Sequence, residues 1–281
     1  MACVRSRTGR PSRPDPFHCH LSMTRVLPRN RLHTSALLHF LTEKGMAGVA
    51  ADPGDVGQRL GDWLDFRQAI ALQGFIGSLD NPSTAPTFAP PARVRVDAAV
   101  LHARFAQVRA ALEQSILRGS APAPGMPRIE MPATALTHPI DARSAFDPFR
   151  RYFSAHQRQM ETVIRSLRAQ LRGMLDKGSA RHQQLAALDA LFENVLQERE
   201  ARQLGLIVTG FEKRFARALK THLQQLHEAA ASDEPAPPSQ DWLAPLCDDM
   251  HTALLAELDL RLQPVQGLIE ALTPEEDTPA P

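Results

Sequence analysis

The sequence predicts an all-α protein: an extended antiparallel bundle of long, coiled-coil-like helices with a smaller N-terminal helical region. Three observations carry that expectation. Hydrophobic residues make up 43% of the 281 residues and aromatics only 5%. A core of Leu, Ala and Val suits helix packing, whereas strands favour β-branched and aromatic side chains. The 23 prolines gather between the apolar-periodic segments, where they punctuate helices without breaking them. Within those segments apolar residues recur at three- and four-residue steps, the period of an amphipathic helix.

Taken in order, residues 1–30 read as a disordered basic tail, rich in Arg, Pro and Ser and without periodicity. Met23 stands before a more ordinary start, so the first 22 residues read as an over-extended gene start or a loose tail. Residues 31–119 form the N-terminal helical region. A short helix over 31–44 shows Leu37, Leu38 and Leu41 on one face, with Gly45 to end it. Val56 to Leu64 adds a turn or two, and a helix from Phe66 to Leu79 begins at an Asp65 cap. Four prolines make 80–92 a linker. Asp97 caps the next helix, which carries Val100, Leu101, Phe105, Val108, Leu112 and Ile116 and stops at Gly119. Residues 120–140 are Pro/Ala/Thr-rich and read as a linker with nothing to bury.

Residues 141–231 read as a long helical hairpin. Asp147-Pro148 is a start signal, an acidic cap followed by Pro at the first helical position. The helix then runs to Lys177, with Gly178 as its stop. Phe149, Phe153, His156, Met160, Val163, Leu167, Leu171 and Met174 share one side, while Arg151, Arg158, Arg165 and Arg172, seven apart, share the other. Ser179 can cap the second arm. There Leu185, Leu188, Phe192 and Val195 define one stripe, and Leu204, Phe211, Phe215, Leu219 and Leu226 another, turned by about half a turn. The arm therefore either breaks near Gly205 or shows opposite faces to two neighbours. Residues 232–240 are an acidic linker. Asp241 caps an acidic C-terminal helix over 241–272, which Pro264 kinks or ends, and 273–281 is a disordered tail.

The net charge of +1 hides an uneven layout. Residues 141–231 hold 15 basic and 10 acidic side chains, and 232–281 hold 11 acids against Arg261 alone. The two are complementary, within one chain or between two. The Arg face therefore reads first as solvated or paired inside the chain, second as a site for an acidic protein, and third as a nucleic-acid site. It lacks the interleaved aromatics that stack on bases. Three cysteines with no disulfide spacing suit a reducing cytoplasm. No stretch reaches the roughly 20 apolar residues that cross a bilayer.

No catalytic, cofactor-binding or metal-binding residue is assigned. Cys247 and His251, at i and i+4, offer two ligands where a closed zinc site takes four. His18-Cys19-His20 lies in the tail, and the other histidines lack metal spacing. His156, on an apolar face, reads as a hydrogen-bonded core residue. Gly45, Gly48, Gly54, Gly57 and Gly61 fit neither a phosphate loop nor a dinucleotide fingerprint.

Several runs carry a family resemblance. They are Arg59 to Phe66 with Ala69-Ile70-Ala71-Leu72, Arg150-Arg151-Tyr152 with Ala155-His156-Gln157, Ala187-Leu188-Asp189-Ala190, Glu198-Arg199-Glu200, and Leu255 to Val265. From about residue 33 onward the chain resembles an uncharacterised proteobacterial domain-of-unknown-function family, DUF3348. The resemblance implies a bacterial helical protein with no catalytic residues to carry over. It also implies a setting near membrane and envelope proteins, some with a peptidoglycan-binding domain like that of outer membrane protein A.

The functional expectation is a non-enzymatic structural or adaptor protein, cytoplasmic and without cofactor. Its partner is another helical protein, envelope-linked, or a second copy of itself. The candidate interaction face is Arg151, Arg158, Arg165, Arg172, Leu204, Phe211, Phe215 and Leu219. The alternative is a nucleic-acid-binding regulator using the Arg face of helix 148–177.

Overall fold

A computed structural model of the chain describes residues 35–46, 64–80, 98–133, 141–232 and 241–272. These all lie in one compact unit, Ser35–Pro281. The described residues form an all-α bundle of six helices and no strand: α1 (Ala36–Glu43), α2 (Phe66–Asp80), α3 (Ala98–Arg118), α4 (Ala142–Leu175), α5 (Ala180–Ser232) and α6 (Ala244–Leu272), the last led in by a 3-10 turn, Asp241–Leu243. The expected N-terminal tail, the turns at 56–63, the linker at 81–92, the Asp97 cap, residues 233–240 and the 273–281 tail lie outside the described residues.

α6 is the central element. Along it Leu246, Met250, Leu254, Leu258, Leu262 and Val265 are all buried. α1, α3, α4 and α5 pack around it. Leu37 and Phe40 of α1 and Leu101, Val108, Leu112 and Ile116 of α3 join the same apolar core as α4 and α5. α1 and α3 therefore share one interior with the hairpin.

The α4–α5 hairpin holds the aromatic part of the core. Phe146, Phe149 and Phe215 meet at ring centroids of 5.4–6.4 Å, and Phe153 meets Phe211 at 5.4 Å. This cluster explains why α4 starts before the predicted Asp147-Pro148 signal. Its cap is Asp141, whose carboxylate accepts from the Ser144 amide at 3.0 Å, and Pro148 lies inside the helix. Starting there brings Phe146 fully into the core. Burying a Phe contributes about 1.5–3 kcal/mol, which offsets the one backbone hydrogen bond that Pro148 cannot donate. α4 ends at Leu175, ahead of the expected Gly178 stop.

α6 also passes through its proline. Pro264 neither ends it nor starts a new piece, since the helix continues to Leu272. Beyond Pro264, Val265, Leu268 and Ile269 are buried. Their burial, about 1.5–3 kcal/mol each, exceeds the roughly 3 kcal/mol that an interior proline costs.

Residues 120–133 are irregular, yet they do bury side chains, contrary to the expected linker. Ile129 and Met131 pack on the core. The Gln159 amide donates to the Pro127 carbonyl at 3.2 Å, and the Ser115 hydroxyl donates to Gln159 Oε1 at 2.7 Å. Gly119 makes the turn possible: its φ is +66°, and a Cβ there would lie 3.1 Å from the Ile129 carbonyl oxygen. A side chain at this position would be strained and would crowd the Ile129 carbonyl.

Candidate functional site

The four arginines of α4 do not form one surface. Arg151 and Arg158 are exposed. Arg165 pairs with Glu161 on its own helix at 2.6 Å. Arg172 turns inward to α5, 2.9 Å from Asp189 and 2.6 Å from Glu193. Arg168 beside it holds Asp189 in a bidentate pair at 2.6 and 2.9 Å. The stripe was expected to be solvated or paired inside the chain. Arg172, with Arg168 beside it, is paired inside the chain, with two acids on α5 and not with the acidic C-terminal segment. All four side chains of this cluster are largely buried. Burial pulls the Arg172 guanidinium down, but hydrogen bonds to Asp189 and Glu193 outweigh it and raise its pKa.

That cluster also settles how α5 runs. It is one helix from Ala180 to Ser232, without a break at Gly205. At about 100° per residue, Ala186, Asp189 and Glu193 fall in the same sector as Leu204, Phe211 and Phe215. The inward face keeps its direction along the whole helix, and its chemistry changes from acidic to apolar. The stripe that seemed rotated, Leu185 to Val195, is a second face beside it. Val195 is buried outside the main core, and α2 is the helix that packs on α5 without joining that core.

Leu204, Phe211, Phe215 and Leu219 are therefore no docking surface. All four are buried within the chain's own core, Phe211 and Phe215 completely. Phe215 also touches Trp242, which stacks on His222 at 5.1 Å. A buried hydrophobic stripe and an unpartnered one have the same periodicity, because a sequence carries no record of which elements fold back upon a helix.

A second polar junction joins α4, α5 and α6. Glu257 of α6 is fully buried. Its carboxylate accepts from Gln157 Nε2 of α4 at 2.9 Å and from Arg261 Nε at 2.8 Å. Arg261 reaches on to Glu200 of α5 at 3.0 Å. Gln157 also donates to the Leu204 carbonyl at 3.2 Å. Burial pushes the Glu257 carboxyl above its ordinary range, while Arg261 and Gln157 pull the other way. Nothing in composition or periodicity pointed to this junction. Its members do sit in the runs Ala155 to Gln157, Glu198 to Glu200 and Leu255 to Val265, which carried the family resemblance. Elsewhere Asp249 of α6 takes both Arg214 of α5 and Lys44 after α1, and Arg150 of α4 meets Glu212 of α5 at 2.8 Å. Arg214 to Asp249 is a contact of the expected kind between basic middle and acidic end.

His156 corrects another expectation. It is buried, with 1% exposed, but neither ring nitrogen has a hydrogen-bond partner. Its ring stands edge-on to Tyr152 at 4.7 Å, and Tyr152 meets His251 of α6 at 6.3 Å. The Tyr152 hydroxyl donates to the Ile116 carbonyl of α3 at 3.2 Å. Burial, helped by His251, pushes His156 down to about 4. Burial also raises the Cys247 thiol, with Asp248 adding to it, which leaves little thiolate for metal or nucleophilic chemistry. Among the described residues no group of three or more His, Cys, Asp or Glu is placed to hold a metal. His18-Cys19-His20 and Gly48 to Gly61 lie outside them.

Among the described residues the most exposed large apolar side chain, Phe66, lies on α2. Asp65 and Gln68 form a capping box at its start, with reciprocal hydrogen bonds of 2.7 and 3.0 Å. Leu64, Gln68, Leu72 and Phe75 are half-buried, whereas Phe66 is 81% and Ile70 53% exposed. No helix among the described residues is long and apolar enough to cross a membrane.

Residues 23–274 match a family model described as a protein of unknown function, DUF3348. No curated protein and no solved structure matches the chain.

Proposed function

The chain belongs to the DUF3348 family, to which no activity is attached, and from its geometry we propose that it is a non-enzymatic structural or adaptor protein that receives a helix on α2. The observation that carries this reading is the outward face of α2. Phe66 and Ile70 stand exposed on a helix that adds nothing to the main core. Large apolar side chains grouped on one exposed face mark sites of protein association. The interior polar groups have a different task. Asp189, Glu193, Asp249 and Glu257 are each held by arginine across or along helices, so they tie the bundle together.

The setting we propose is the cytoplasmic side of an envelope-associated bacterial assembly, following the family resemblance. The test is affinity purification from the native host, with the partner identified and its binding rebuilt from purified components. Phe66→Asp/Ile70→Asp is expected to remove that binding while leaving helicity and melting temperature unchanged, because neither side chain is part of the core. Undiminished binding by the double variant would move the interface away from α2.

A further inference from the structure

We propose that His156 is an acid-sensitive release, in which a proton on its buried, unpartnered ring frees α3 and the irregular residues 119–133 from the bundle while α4, α5 and α6 stay packed.

The imidazole is 1% exposed, and neither of its nitrogens has a hydrogen-bond partner. Even the neutral ring leaves a donor unsatisfied there, which an apolar side chain would avoid. The charged ring would have two donors, a net charge and no acceptor. The groups around it do not supply one. On α4 its neighbour is Tyr152, set edge-on at 4.7 Å. On α6 His251 and Cys247 face this site, with Asp248 beside Cys247, and His251 opposes a second positive charge. Glu257, further along α6, is held by Gln157 and Arg261. α5 meets this part of α4 through Phe211, which packs on Phe153. On α3 Glu113 pairs with Arg109, and Arg109 with Asp259 of α6. A protonated His156 is therefore stable only where water can reach it.

The neighbours of His156 decide which helix yields. At about 100° per residue, Tyr152, His156 and Gln159 fall within about 60° of one another. Tyr152 and Gln159, one turn to either side, are the residues that hold α3 and the segment behind it. The Tyr152 hydroxyl donates to the Ile116 carbonyl at 3.2 Å, the Ser115 hydroxyl donates to Gln159 Oε1 at 2.7 Å, and Gln159 Nε2 donates to the Pro127 carbonyl at 3.2 Å. The imidazole thus sits in the middle of this seam. The other seams of α4 are closed by charge: Arg168 and Arg172 on Asp189 and Glu193, Arg150 on Glu212, and Gln157 on Glu257. The ion pair of α3 with α6, Arg109 to Asp259, has side chains 43% and 46% exposed, where water and salt weaken it. Apart from it, α3 is kept in place by the burial of Leu101, Val108, Leu112 and Ile116. An element held in this way opens at a lower cost than the whole fold.

The experiment is amide hydrogen exchange of the full chain from pH 7 to 5, corrected for intrinsic exchange rates and read separately in α3 and in α4 to α6. The ring titrates at about 4 in the closed form and near 6.5 in water, so protection of α3 should fall about twentyfold over that range. At each pH α3 should be less protected than α4 to α6, since it opens without them. His156→Met should remove the fall, and His251→Gln should keep it. Tyr152→Phe cuts a tie of the same seam without touching the titration. It should lower protection of α3 at every pH, and it tests the seam even where the methionine variant does not fold. Amides of α3 that share the protection of α4 and α6 throughout open only with the whole fold, and overturn the proposal. So does a fall that persists in His156→Met, an α3 protection that is flat in pH, or a Tyr152→Phe chain whose α3 is as protected as wild type.

Discussion

Lowering the pH from 7 to 4 is expected to remove about 3 kcal/mol of stability through His156 alone. The imidazole is buried, has no hydrogen-bond partner and titrates at about 4 in the fold, against 6.5 in a free chain. The unfolded chain takes up its proton as the pH falls below about 6.5, and the folded chain does so only near 4. The stability tied to this group is therefore complete above pH 6.5 and is lost as the pH falls to 4. Glu257 acts in the opposite sense, because its raised carboxyl lets the fold take up a proton before the unfolded chain does. His251, half-buried and also shifted down, acts in the same sense as His156.

Comparison with His156→Met separates these contributions, since the other groups are common to both proteins. Methionine fills irregular core space, and an unpaired buried polar group can be replaced by an apolar one with little loss. Urea midpoints at a series of pH values should show the variant gaining on the wild type steadily below pH 6.5. A difference between the two that stays constant from pH 7 to 4 would remove His156 as the source.

Arg261→Ala is expected to cost about 3–5 kcal/mol, the loss typical of breaking a buried pair and leaving one charge behind. Glu257, fully buried, would keep only Gln157, and Glu200 would lose its tie to α6. Replacing both partners, Glu257→Met/Arg261→Met, should recover most of that loss, because no charge is then stranded. Thermal melts of the single and double variants make the comparison. Part of the Arg261→Ala loss should also be regained in mild acid, where the stranded carboxyl can take up a proton. A single variant within 1 kcal/mol of wild type would place the Glu257 charge in contact with water and end this account.

Local readings succeeded where local chemistry decides. The Asp65 cap forms, Ser179 accepts from the His182 amide at 3.3 Å to start α5, and Gly45 and Gly119 take φ of +63° and +66° at the ends of α1 and α3. The packing side of α4 is also as expected, from Phe149 to Leu171. Local signals give way where burial elsewhere outweighs them. Pro148 and Pro264 are strong breakers in isolation, but each lies beside side chains whose burial is worth more. The proposed docking residues Leu204, Phe211, Phe215 and Leu219 have a periodicity identical to that of a free amphipathic face.

By itself, then, the sequence determined the all-α class, the positions of the long helices, most of their ends and the apolar side of α4, because helix period and capping depend on residues within a few positions of one another. Only the tertiary structure decided that α5 is unbroken, that Arg168 and Arg172 spend their charge on Asp189 and Glu193, that Glu257 and Arg261 tie three helices, and that His156 is buried unpaired. Each of those depends on which helix lies opposite, a relation between residues 17 to 100 apart. The same relation buries Leu204, Phe211, Phe215 and Leu219 of α5 and leaves Phe66 and Ile70 of α2 exposed among the described residues.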